Sequence, residues 1–215
     1  MDIMLKSLAC GLGFCLLSSA SFAATYYADT DGDGTADTIT TVTSGTTGVR
    51  VFHPNTGATK FYTISGGFNV HSIVDTNGAP GTEIIINRPT GLTSTNGITV
   101  IHDRNGTSSN YLYAPGVPFS INSIADTDGQ PGSEIIVDRH AASSLYSGEN
   151  GISIVNDRTQ TKQLYWIDLY AGFSIRNVTN YDGIAGAEVC YNTNNPWQYW
   201  MIVDRTKSKV YRTAC

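Results

Sequence analysis

The sequence predicts an all-β fold, a four-bladed β-propeller of four-stranded antiparallel blades. Three observations point to it. A short acidic motif recurs four times, as DTDGDGTAD from Asp29, DTNGAPGTE from Asp75, DTDGQPGSE from Asp126 and NYDGIAGAE from Asn180. The copies lie 46, 51 and 54 residues apart, within the range of propeller-blade repeats. Each copy is flanked by short runs that alternate apolar and polar residues, the period of a half-buried strand. Composition agrees. Charged residues make up only 14% of the chain, and Gly, Thr, Ser and Asn are abundant, which suits tight turns between strands better than helices. A β-sandwich is the alternative use of the same strands.

Residues 1–23 are expected to be a secretory signal peptide. Lys6 precedes an apolar run, Leu8 to Leu17, and Ser21 and Ala23 stand where a signal peptidase reads small side chains. The apolar run is too short for a membrane span of about 20 residues. Cleavage after Ala23 would leave one domain, residues 24–215, and two of the four cysteines. Cys190 and Cys215 are then expected to pair, as an even cysteine count in an exported protein suggests. The net charge of −5 comes without a basic cluster, so nucleic acid is an unsuitable partner.

The repeats are expected near residues 24–65, 66–115, 116–170 and 171–215. The first opens on a stub, ATYYAD, which forms either an edge or a pairing with the last blade. The later three open on FNVHSIVD, FSINSIAD and FSIRNVTN, beginning at Phe68, Phe119 and Phe173. The acidic loop follows. Next come EIIINR, EIIVDR and EVCYNT; then GVRVFHP, GITVIHDR, GISIVNDR and YWMIVDR; and finally aromatic strands KFYTI, NYLYAP, QLYWI and KVYRT. Four strands per repeat give one blade, and stacking blades buries the faces that a lone sheet would expose.

These repeats resemble the FG-GAP and VCBS repeats, the calcium-loop repeats of integrin-α-like propellers, and the resemblance runs through nearly all of residues 24–215. FSINSIADTDGQPGSEIIV follows that pattern in order and spacing. The resemblance implies Ca2+ in the acidic loops and an extracellular binding or adhesion role, with a protein or glycan partner.

Calcium takes six to eight oxygens, which a tight acidic loop can wrap around one ion. The first loop carries acids at positions one, three, five and nine, Asp29, Asp31, Asp33 and Asp37, and a backbone carbonyl at Thr35 is the expected further ligand. The other loops lack the acid at position five. They offer Asp75, Asn77 and Glu83; Asp126, Asp128 and Glu134; and Asn180, Asp182 and Glu188. An Asp/Gly turn needs no metal, so these loops are equally read as turns in which the first residue accepts backbone N–H bonds and the Glu clamps the turn.

Asp-Arg pairs recur at Asp103–Arg104, Asp157–Arg158 and Asp204–Arg205, and repetition at one position points to a structural ion pair between blades. No catalytic residues are assigned and the protein is expected not to be an enzyme. His53, His102 and Asn156 share a register, as do His71, Asn122 and Arg176, and positions that exchange for Asn are poor candidates for a base. A small polysaccharide hydrolase or lyase is the weakest reading, because no G-x-S-x-G or H-E-x-x-H motif occurs. A lectin is the alternative to a general binding module, since strand aromatics can form sugar platforms between blades. The candidate ligand contacts are Trp197, Tyr199 and Trp200, in NNPWQYW.

Overall fold

The computed structural model describes residues 23–88, 96–115, 117–140, 149–168, 172–195 and 197–215. The expected signal peptide lies almost wholly outside the described residues. Among the described residues, sixteen strands form four four-stranded antiparallel sheets, and each sheet keeps its strands in chain order. The first blade is β1 (Thr25–Ala28), β2 (Asp37–Val42), β3 (Gly48–His53) and β4 (Ala58–Thr63). The second is β5 (Asn69–Val74), β6 (Glu83–Arg88), β7 (Gly97–His102) and β8 (Thr107–Leu112). The third is β9 (Phe119–Ala125), β10 (Glu134–Arg139), β11 (Gly151–Asn156) and β12 (Thr161–Trp166). The fourth is β13 (Phe173–Thr179), β14 (Glu188–Thr193), β15 (Tyr199–Val203) and β16 (Ser208–Arg212). This is the all-β architecture of four four-stranded blades that the sequence predicts. The ATYYAD stub resolves to an edge, because β1 pairs with β2 of its own blade.

The central strands of the second and third blades are apolar on both faces because a neighbouring blade covers each side. Three cores fill the three junctions. Ile39, Val49 and Val51 of the first blade meet Val70, Ile84, Ile86 and Ile101 of the second. Ile85, Ile98, Val100 and Tyr111 meet Ile121, Ile135, Val137 and Val155. Ile136, Ile152, Ile154 and Tyr165 meet Val189, Tyr191 and Ile202. In these two blades one face of each central strand serves one junction and the opposite face the next, as period-two side-chain alternation requires.

The array changes character at its ends. On the outer face of the first blade, Thr38, Thr40 and Phe52 occupy the positions that are Ile84, Ile86 and Ile101 in the second, and Phe52 is 40% exposed. On the outer face of the fourth blade, Cys190 occupies the position of Ile85 and Ile136. It is fully buried and disulfide-bonded to Cys215, with Cα atoms 6.2 Å apart, so the C-terminal segment is tied across that face. Repeat arrays in general replace apolar side chains with polar ones or covering segments on terminal faces.

His71, Asn122 and Arg176 are the extra residues at β-bulges in β5, β9 and β13. All three are exposed. A bulged residue leaves the ladder and points to solvent, which is why His, Asn and Arg exchange freely there. No helix among the described residues is long and apolar enough to cross a membrane.

Candidate calcium loop and interblade nodes

The four acidic loops share one turn. The residue at position one accepts the N–H of the glycine at position four in every loop. Asp29 takes Gly32 at 2.7 Å, and Asp75, Asp126 and Asn180 take Gly78, Gly129 and Gly183 at 2.6 Å. The acid at position nine turns back to the N–H at position two. Asp37 accepts Thr30 at 2.9 Å, Glu83 accepts Thr76 at 2.8 Å, Glu134 accepts Thr127 at 2.7 Å and Glu188 accepts Tyr181 at 2.8 Å. Positions one and nine therefore build the turn, as an Asp/Gly reading without metal expects. The loops also stack. Thr82, Ser133 and Ala187 each donate an N–H to the carbonyl at position one of the preceding loop, on Asp29, Asp75 and Asp126.

The aspartates of the Asp-Arg pairs are buried at the blade junctions. Asp103 accepts the Tyr62 hydroxyl at 2.6 Å and the Thr30 hydroxyl at 2.8 Å, both from the preceding blade. Asp157 accepts Tyr111 at 2.6 Å and Thr76 at 2.8 Å. Asp204 accepts Tyr165 at 2.5 Å and Thr127 at 3.3 Å. Burial beside these carboxylates pushes all three tyrosine hydroxyls well above their ordinary pKa. The predicted link between blades is thus made chiefly by hydroxyl-to-carboxylate hydrogen bonds, while the arginines point elsewhere.

Those arginines reach the acidic loops of their own blades. Arg158 donates to Asp128 at 2.8 Å. Arg205 bonds to both Asp182 and Glu188. Arg104 donates instead to the Pro80 carbonyl, at 3.3 Å. In the first blade the equivalent residue is Asn55, which donates to Asp33 at 2.8 Å and to the Thr35 hydroxyl at 2.6 Å. The one loop that gains a fourth acid is therefore the one whose blade has exchanged arginine for a neutral amide. The exchange is present in the sequence, yet it acquires meaning only once the register places position 55 across the loop from Asp33.

This divides the candidate metal ligands. Asp29, Asp31 and Asp33 gather with carboxylate oxygens within 4.8 Å of one another, and Asp31, Asp37 and His53 form an adjoining cluster. Burial, with repulsion from Asp37 and Asp33, raises the Asp31 pKa, and the Asn55 bond lowers that of Asp33. An all-oxygen set of this kind fits a hard cation. Asp126, Asp128 and Glu134 also converge, but Arg158 and Asn156 already donate to Asp128. Arg205 does the same for Asp182 and Glu188. In the second loop the Asn77 amide donates to Glu83 at 2.6 Å, and its own oxygen accepts Ala79.

Both histidines in the shared register belong to the nodes. His53 lies with Nδ1 2.9 Å from Asp37 and Nε2 3.1 Å from Asp103. His102 Nε2 is 3.1 Å from the Ser109 hydroxyl, with Asp157 at 3.5 Å, and its Nδ1 is 3.8 Å from Glu83. Ser, His and Glu together match the composition of a hydrolase triad. The flanking Asp157 and Glu83, however, push His102 up to about 9, so it is charged at neutral pH and unsuited to take a proton from Ser109. Ser109 also accepts the Gln160 amide at 2.7 Å.

The predicted aromatic contacts separate. Trp197 is 81% exposed, Tyr199 and Trp200 alternate to opposite faces of β15, and Trp200 alone of the three lines a cleft against the third blade. Trp166, from that third blade, lines the same cleft. No family model and no curated protein matches the chain.

Proposed function

We propose that the protein is a secreted, non-enzymatic extracellular binding module of the FG-GAP/VCBS type, stabilised by Ca2+ in its first acidic loop. The observation that carries the calcium reading is the exchange at position 55. The third and fourth loops hold their carboxylates with an arginine of their own blade, and the first loop adds Asp33 while replacing that arginine with Asn55. Asp29, Asp31, Asp33 and the Thr35 carbonyl would hold the ion, which would neutralise the carboxylate cluster. The binding reading is supported by the use of the buried histidines and aspartates in blade-to-blade contacts, and by the aromatic cleft between the last two blades.

The test is a thermal melt of residues 24–215 in EDTA and in added calcium. A ligand bound only by the folded state raises the midpoint, so calcium should raise it and Asp33→Ala should remove most of the shift. A midpoint indifferent to calcium would overturn the metal reading.

A further inference from the structure

The junction of the third and fourth blades differs from that of the second and third. At the junction of the second and third blades, Arg139 is fully buried, ion-paired with Glu149, and stands 4.6 Å from the centre of the Tyr113 ring. Lys162 lies over the same ring at 4.5 Å and bonds to the Leu112 carbonyl. These side chains fill the gap between the outer strands. The second blade has Arg88 at the position of Arg139.

In the fourth blade that position is Thr193. Trp200 stands where the third blade has Ser153, and Trp166 stands where the second has Leu112. Lys209 repeats the bond of Lys162, donating to the Trp166 carbonyl at 2.7 Å. At this junction lies a cavity of about 170 Å³ lined by Trp166, Ile167, Asp168, Tyr191, Thr193, Trp200 and Lys209. Trp200 is steadied by the Tyr211 ring, edge-on at 5.7 Å, while Trp166 is 48% exposed at the surface.

We propose that this cleft binds a neutral sugar ring presented by a glycan. The inference rests on the binding-module reading and names its ligand. Ligand sites combine apolar and aromatic walls with a few polar groups that fix orientation. Here two indoles offer apolar surface to the C–H faces of a pyranose, and Thr193 and Lys209 offer a hydroxyl and an ammonium group to its hydroxyls. Asp168 and Lys209 balance in charge, which suits a neutral ligand better than an ionic one. The cavity is large enough for one ring and opens toward solvent where a glycan chain would continue.

The experiment is a glycan array with residues 24–215, followed by tryptophan-fluorescence titration with methyl glycosides of the sugars retained. The variants are Thr193→Arg, which restores the side chain of the second and third blades, and Trp166→Ala, which removes an exposed wall. Each should weaken sugar binding by about tenfold or more, with a calcium-dependent melt like that of the unmodified protein. Retained sugars that bind both variants as before would overturn the cleft. A blank array would overturn the sugar proposal as well. If calcium still shifted the melt, the calcium-stabilised module reading would stand without it, and if calcium had no effect both would fall.

Discussion

Asp103, Asp157 and Asp204 show what one buried carboxylate contributes. Each receives a tyrosine and a threonine hydroxyl from the preceding blade; its removal strands the buried tyrosine donor, whereas the threonine keeps the acid at position nine of its own loop. Leaving buried partners unpaired costs about 1–3 kcal/mol for each group. Asp157→Ala, which leaves the Tyr111 hydroxyl unpaired, should therefore lower stability by about 1–3 kcal/mol, read from the urea midpoint with an unchanged slope. His102 adds a pH dependence to the same node. Glu83, Asp157, Ser109 and Asn77 face its ring, and the two carboxylates hold it up to about 9, against about 6.5 for an unfolded histidine. A raised folded-state value means the protonated form is favoured by folding. Its contribution is complete below pH about 6.5 and is lost as pH rises through about 9. Stability should fall across that window, and His102→Asn, the residue of the third blade, should flatten the fall in urea titrations at several pH values. The sequence shows that His53, His102 and Asn156 are equivalent. It does not show that carboxylates from two blades converge on the ring, because those groups lie far apart along the chain.

At the scale of the element, the loop stack is the least local feature. Gly129 has φ +76° and Gly183 has φ +75°, so alanine carries the same backbone strain at both, about 1–2 kcal/mol. Their surroundings differ. A Cβ on Gly129 would lie 2.6 Å from the Ala185 carbonyl oxygen of the next loop, whereas one on Gly183 meets nothing within 4 Å. Gly129→Ala should therefore cost about 1–3 kcal/mol more than Gly183→Ala, measured as the difference in their unfolding free energies. The strands themselves were legible, since alternation and turn residues mark them directly. The bulges were not. His71, Asn122 and Arg176 look like ordinary members of alternating runs, and only the pairing of β5, β9 and β13 with their neighbours reveals that each has no partner.

At the scale of the molecule, blades stack through nearest-neighbour junctions, so terminal faces need separate treatment. The node that joins successive blades has lost members at both ends. Pro54 stands where the later blades have Asp103, Asp157 and Asp204, and Arg212 stands where the earlier ones have Tyr62, Tyr111 and Tyr165. The disulfide holds the C-terminal segment over the last face across 25 residues of chain. In the chain-entropy model a loop of this size is worth about 3 kcal/mol. Cys215→Ser should lower stability by about that amount, and hydrogen exchange in β14 and β15 should rise more than in β6 and β7.

The sequence by itself determined the all-β class, the four repeats and the order of strands. These follow from local alternation and turn chemistry, both of which are properties of neighbouring residues. The tertiary structure decided which acids face an arginine and which face Asn55, where the aspartates of the Asp-Arg pairs are buried, that Cys215 reaches Cys190, and that Trp166 joins Trp200 across the junction of the last two blades. Those facts depend on distances of a few ångströms between separate strands or blades. Such distances are set by side-chain packing across the sheets and junctions, which no single stretch of the chain encodes.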